Sequence, residues 1–274
     1  SVAIRVVEEI GLTNLLPPLS DLLQSSREIP KNYSVALGTF EVTPYELTRA
    51  YAAFASKGKE VFPIAILHVT DHDGNMLVNF EEENSKKIPR ELVSPEASFI
   101  ITSMMEDVIR KGTGRAVINQ GVNRPVAGKT GTTNNFRDAW FVGYTAELVT
   151  SVWLGYDIGT LTLGRGMSGG VVATPIWGKF VATALKGESI KNFDFGKINV
   201  EKIKVCAMSG KLPGPSCRKF VEEYFIPNTL DPDICNEHLG YSPIIDPNYI
   251  REITELKLSK DKDETKKKNA KKNP

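Results

Sequence analysis

No run in the sequence approaches the roughly 18 consecutive apolar residues that a membrane-spanning helix needs, and no signal peptide precedes Ser1. Either the protein is cytosolic, or the targeting segment lies outside this chain. Charge of one sign is also scarce. The formal net charge is +1, and the stretch from Lys257 to Pro274 holds eight lysines against Asp261, Asp263 and Glu264, a net of +5. By subtraction the rest of the chain stands at about −4, which excludes a nucleic-acid surface from the expected partners. Cysteine is rare too: Cys206, Cys217 and Cys235 all fall in the last third, enough for one intramolecular disulfide with one thiol left over. Together with His238 they could instead make a Cys3His zinc set, although no C-x-x-C is present. The residues alone leave both readings open. There are no internal repeats.

What the chain does have is a 41% apolar content over 274 residues, enough to bury a core in one large or two modest domains. Val2, Ile4, Val6, Val7 and Ile10 carry helical spacing up to Gly11 without capping residues upstream, as if the helix were entered part-way. Thr43, Pro44 and Glu46 form a capping box that opens a helix to about Ser56, with Leu47, Ala50, Tyr51 and Phe54 inward. Ile64 to Thr70, the turn Asp71-His72-Asp73-Gly74-Asn75, and Met76 to Phe80 read as a hairpin, with His68 and His72 as ordinary surface histidines. Ser94-Pro95-Glu96 opens a second helix to about Lys111, ended by Gly112-Thr113-Gly114. Three apolar runs follow: Pro125 to Thr133, Asp138 to Thr145 and Leu148 to Tyr156. Their short separations predict an antiparallel meander, and Thr174-Pro175 opens a last helix to about Lys186. The fold class is therefore α+β, an antiparallel sheet covered by helices. The domains expected are 1–190, an irregular cysteine-containing extension over 191–256, and a disordered basic tail over 257–274.

Two motifs in this chain are incomplete. Gly128-Lys129-Thr130 matches the end of a phosphate loop, but the first glycine would have to stand where Asn123 is, and Pro125 stiffens the segment. Gly166-Met167-Ser168-Gly169-Gly170 fits the G-x-S-x-G elbow of serine hydrolases, with His238 in the right chain order. An elbow needs a helix beginning at the serine, however, and the helix signal waits for Thr174-Pro175. The third motif, Lys129-Thr130-Gly131-Thr132-Thr133, places a lysine and small hydroxyl residues on one strand. Its chemistry suits a carboxylate: Lys129 supplies charge, Thr130 and Thr132 supply donors, and Gly131 removes a side chain that would block a ligand lying along the strand. A plain edge strand with a solvated lysine is the alternative.

The order of motifs along the chain resembles the transpeptidase domain of penicillin-binding proteins, in particular the class A bifunctional ones. The residues that carry the resemblance are Leu37-Gly38, Glu41 to Pro44, Ala50 to Ala55, Gly112-Thr113-Gly114, Ala127 to Thr133, Asp138 to Tyr144 and Pro175-Ile176-Trp177. It continues into Cys206 with Ser209-Gly210, Glu223 to Pro227, and Cys235 with His238. What it implies is a penicillin-recognising fold and D,D-transpeptidation of peptidoglycan stem peptides through a serine acyl-enzyme, built on S-x-x-K, S-x-N and K-T-G motifs. On this resemblance Lys129, Thr130 and Thr132 hold the terminal carboxylate of a D-Ala-D-Ala stem, Gly131 and Thr133 complete the wall, and the Thr132 N–H is an oxyanion donor. Partners implied are stem peptides, lipid-linked precursors and β-lactams, with no cofactor. The implied location is outside the cytoplasm, in a parent anchored in the cytoplasmic membrane and also carrying a peptidoglycan glycosyltransferase. That location favours a disulfide over a metal for the cysteines.

Only the third motif is in place. S-x-x-K occurs at Ser56/Lys59, Ser216/Lys219 and Ser259/Lys262, none positioned as the nucleophile, and S-x-N does not occur. The chain thus reads as the C-terminal half of the domain, separated from an N-terminal half that bears the serine and inactive by itself. The alternatives are a non-catalytic scaffold or regulatory half with the same fold, and a hydrolase using Ser168.

Overall fold

The computed structural model describes residues 41–230 and 233–237. The helix expected over Val2 to Ile10 and the basic tail lie outside them. The chain divides into two units, Ser1–Ile198 and Asn199–Pro274.

In the first unit, helix α1 (Pro44–Ala55) starts on the expected capping box. The Glu46 N–H donates to Thr43 Oγ1 at 3.2 Å and the Thr43 N–H donates to Glu46 Oε2 at 2.7 Å, so two otherwise orphaned donors are satisfied. The inward stripe is rotated from the expected one. Ala50, Ala53 and Phe54 are buried while Leu47 and Tyr51 are half-buried, because the small alanines are what let α1 lie close to the sheet. Strands β1 (His68–Thr70) and β2 (Met76–Asn79) form the expected hairpin. A short helix α2 (Phe80–Ser85), unforeseen from sequence, follows it. Asn79 accepts from the Glu82 N–H at 3.0 Å, and three glutamates in its first turn suit the helix dipole. Helix α3 (Pro95–Arg110) is capped by Ser94, as predicted.

Strands β3 (Ala127–Thr132), β4 (Ala139–Tyr144) and β5 (Val149–Leu154) make an antiparallel meander with β4 in the middle. Register pairs Thr130 with Phe141 and Ala127 with Tyr144, and strand alternation sends these two pairs to opposite faces. On the first face Phe141 packs with Ile109, Val117, Val126, Ala173, Trp177 and Val181, and its ring meets Trp177 edge-on at 5.0 Å. On the second, Ala127 and Tyr144 pack with Phe54 and Met105. Two polar groups inside these cores are partnered: Trp177 Nε1 donates to the Thr150 carbonyl at 3.0 Å, and the Tyr144 hydroxyl lies 2.6 Å from Thr102 Oγ1. Helix α4 (Thr174–Ala184) is entered through a π-helical turn over Gly169–Ala173. The expectation that winding begins only at Thr174 is therefore corrected. The Thr174 hydroxyl donates back to the Gly169 carbonyl at 3.0 Å instead of capping, which continues the coil upstream.

The second unit contains a hairpin, β6 (Glu201–Cys206) with β7 (Phe220–Phe225), where sequence reading gave only irregular chain. The strands are hard to read because their outward positions are charged: Lys202 pairs with Glu222 at 2.6 Å, and Lys204 stands over the Phe220 ring at 4.8 Å. Val205, Leu212 and Leu230 form a buried apolar cluster in this unit.

Candidate functional site

The K-T-G strand β3 is an edge of its sheet among the described residues, so one side of its backbone is not occupied by another strand. Two glycines fit it to β4. A Cβ on Gly128 would stand 2.7 Å from Phe141 Cζ and 2.9 Å from the Val142 carbonyl, and one on Gly131 would stand 3.0 Å from Trp140 Cβ. Gly131 thus has a packing role against Trp140 in addition to leaving the edge bare. Gly128-Lys129-Thr130 lies in extended strand, which disposes of the phosphate-loop reading.

Alternation places Thr130 and Thr132 on the face that receives the Gly169–Ala173 turn, with Lys129 on the other. They converge at the strand edge, where Lys129 Nζ donates to the Thr130 carbonyl at 2.9 Å. Lys129 and Thr132 are exposed and Thr130 half-buried. Thr130 Oγ1 lies 2.7 Å from Thr113 Oγ1, a residue that sequence reading took as part of a helix-ending turn. One proton satisfies that contact and the other remains available. Thr132 Oγ1 accepts from the Gly169 N–H at 3.0 Å, which leaves the Thr132 hydroxyl proton to be donated outward.

Three segments therefore meet at the two threonines, and small residues make the meeting possible. A Cβ on Gly114 would fall 2.7 Å from Ile109 Cδ1, one on Gly169 would fall 2.3 Å from the Trp140 carbonyl and 2.4 Å from the Gly131 carbonyl, and one on Gly170 would fall 2.7 Å from the Thr113 carbonyl. Gly166 to Gly170 is thus the packing loop of the K-T-G strand. Ser168 follows a turn and not a strand, so the elbow geometry is not formed, and His238 lies outside the described residues. Thr133 closes the β3–β4 turn: its hydroxyl donates to Asp138 Oδ2 at 3.0 Å and accepts from the Asp138 N–H at 2.8 Å. Chemically the edge offers one ammonium and three threonine hydroxyls in a solvent-accessible row, an arrangement suited to a carboxylate.

The other serines of S-x-x-K spacing lie elsewhere. Ser56 is the C-cap of α1, which packs on β4 and β5, Ser216 is in the second unit, and Ser259 is outside the described residues. Cys206, Cys217 and Cys235 come together and are buried. No disulfide joins any two of them, contrary to the preference drawn from the resemblance, and the three sulphurs all lie within 4.8 Å of one another. Burial pushes the Cys217 thiol above its ordinary value. No helix among the described residues is long and apolar enough to cross a membrane.

The antiparallel sheet between helical layers and its lysine–threonine edge put the first unit in the class of penicillin-recognising α+β folds. The family described as the penicillin binding protein transpeptidase domain matches residues 10–181, more than half of the sequence, and the chain belongs to that family. Residues 198–240 match the C-terminal domain of penicillin-binding protein 1A. Among relatives, penicillin-binding protein 1A of Aquifex aeolicus is 38% identical over 197 residues, covering 72% of this chain and 24% of that protein. That of Neisseria flavescens is 34% identical over 190 residues, covering 69% and 24%. The chain therefore spans about a quarter of the length of the relatives it matches. Among solved structures, penicillin-binding protein 1A of Haemophilus influenzae superposes with a TM-score of 0.66 at 25% identity, over 85% of this chain and 39% of that one. PonA1 of Mycobacterium tuberculosis, solved also in complex with penicillin V, superposes with a TM-score of 0.58 at 26% identity, over 69% and 51%.

Proposed function

We propose that this chain supplies the carboxylate-binding wall of a serine D,D-transpeptidase that cross-links peptidoglycan stem peptides and is acylated by β-lactams. The observation that carries the reading is the junction at Thr130, where the Lys129 ammonium and the hydroxyls of Thr113, Thr130 and Thr132 line the open edge of β3. In the proposed reaction a serine hydroxyl attacks the carbonyl between the two D-alanines of a stem. The terminal D-alanine leaves as amine, and a second stem's amine then takes the acyl group and restores the serine. Lys129, Thr130 and Thr132 hold the leaving residue's carboxylate, and the Thr132 N–H stabilises the oxyanion. Gly131 keeps the strand surface low, and Thr133 holds the turn beside it. No cofactor takes part. Lipid-linked precursors, a membrane-anchored location outside the cytoplasm, and an accompanying glycosyltransferase belong to this proposal through the resemblance to class A penicillin-binding proteins.

Acylation by a fluorescent penicillin tests it in the protein at its full coding length. Lys129→Ala lowers the second-order acylation rate about 30-fold, the equivalent of ~2 kcal/mol lost from a charged substrate contact. An unchanged rate removes Lys129 from the site. Absence of labelling in the wild-type protein at any penicillin concentration overturns the enzymatic reading in favour of a non-catalytic scaffold.

A further inference from the structure

We propose that Cys206, Cys217 and Cys235 form a structural zinc site in the second unit. Their sulphurs all lie within 4.8 Å of one another, and all three residues are buried. Zinc bonded to sulphur at about 2.3 Å in tetrahedral geometry sets sulphurs roughly 3.8 Å apart, so the cluster must contract by no more than about 1 Å to bind the ion. A disulfide would draw two sulphurs to about 2.05 Å and leave a third thiol buried against the bond, positioned for exchange. Convergence of all three is what a metal requires and a single disulfide does not.

The chain is folded locally to bring this about, although the sequence has no C-x-x-C pair. Cys206 ends β6, and the chain turns back at once: the Gly210 N–H donates to the Cys206 carbonyl at 2.9 Å, and the Cys206 N–H donates to the Lys211 carbonyl at 2.9 Å. The next turn presents Cys217, whose sulphur accepts the Gly214 N–H at 3.3 Å, the kind of donor that stabilises a metal-bound thiolate. Cys235 is laid alongside by a parallel bridge between Leu212 and Ile234, with its N–H on the Leu212 carbonyl at 2.8 Å. That approach needs glycine at position 214, where a Cβ would stand 2.2 Å from the Cys235 carbonyl. Beyond the sulphurs, the described part of the unit buries Val205, Leu212 and Leu230. So small a core gains a great deal from a metal cross-link.

Three thiolates favour a borderline-soft divalent ion of no geometric preference, which is zinc. Each thiol gives its proton to solvent as its sulphur–metal bond forms, and ligation then protects the thiolates from oxidation. The fourth ligand is not assigned. His238 lies outside the described residues. The inference does not rest on the transpeptidase reading.

The test uses the whole 274-residue chain. Elemental analysis after a brief chelator wash finds about one zinc per chain, as a closed thiolate site should retain. Exchange with cobalt(II) gives the sulphur-to-cobalt charge-transfer band and the intense visible bands of a tetrahedral thiolate site. Cys217→Ser lowers bound zinc at least about tenfold. Should that variant fail to fold, the cobalt spectrum of the wild-type chain decides alone. A metal-free chain whose intact mass rises by two hydrogens on reduction overturns the proposal in favour of a disulfide. A metal-free chain with three reactive thiols, or zinc content unaffected by Cys217→Ser, overturns it as well.

Discussion

Thr113 and Thr130 form a hydroxyl pair 2.7 Å apart in which each can serve as donor, so Thr113 sets the direction in which the Thr130 proton points. Lys129 already spends one donor on the Thr130 carbonyl, and orientation of the remaining donors decides how well an incoming carboxylate is met. Thr113→Val keeps the shape of the residue and removes this control. Thr113 is exposed, so the substitution changes stability by less than about 0.5 kcal/mol, measured by denaturant unfolding. Acylation by a fluorescent penicillin, by contrast, slows about 5- to 10-fold, as expected for loss of one hydrogen bond of ~1 kcal/mol. If both quantities stay unchanged, the pair is incidental and the Thr130 proton is oriented by something else.

At the scale of elements, the Gly166–Gly170 loop and its π-helical turn press on the β3–β4 pair at a point where no side chain fits. Gly169→Ala would place a Cβ 2.3 Å and 2.4 Å from two backbone carbonyl oxygens, neither of which can swing away as a side chain could. The cost is at the upper end of the ~1–3 kcal/mol typical of overpacking, whereas Gly159→Ala, with no atom within 4 Å, serves as a neutral control. Chemical unfolding of the two variants measures the difference, and equal midpoints would mean that the loop does not bear on the strand pair. The same contact shows where sequence reading succeeds and where it stops. The Thr43–Glu46 box and the Ser94 cap were legible because each side chain meets its partner three residues away. The β3–β5 meander was legible from three apolar runs and the short turns between them. Thr113 and Gly169 were not, since their partners on β3 stand 17 and 37 residues off, and only the folded backbone brings them together. Strands β6 and β7 escaped for a different reason, as charges on their outward positions imitate a polar loop.

For the first unit as a whole, one ion pair ties together the approach to β3, the β4–β5 turn and the chain leaving α4. Arg124, just before β3, donates to Glu147 Oε1 at 2.7 Å and, through Nη2, to the Leu185 and Glu188 carbonyls at 3.0 and 3.2 Å. Glu147, in the β4–β5 turn, also accepts from the Lys191 N–H at 3.2 Å. The two side chains retain only 5% and 11% of their exposure, so neither charge has water to replace its partner. Burial by itself would raise the Glu147 carboxyl, but hydrogen bonds from Thr145 and Lys191 together with the Arg124 charge outweigh it and hold the group below its ordinary value. A carboxyl lowered in the folded state contributes stability in full above its unfolded value of about 4.3 and loses it as pH falls through the lower folded value. Arg124→Met at neutral pH strands the carboxylate and costs about 3–5 kcal/mol. The loss of the arginine also raises the folded Glu147 pKa, so the variant can take up a proton where the wild type cannot. The stability gap between the two proteins therefore narrows as pH drops from 7 towards 4, and Glu147→Gln flattens the acid limb of the wild-type curve. Denaturant unfolding at several pH values measures the gap. One that stays constant across that range would mean that Arg124 acts through the two carbonyls alone and that Glu147 is not its ionised partner.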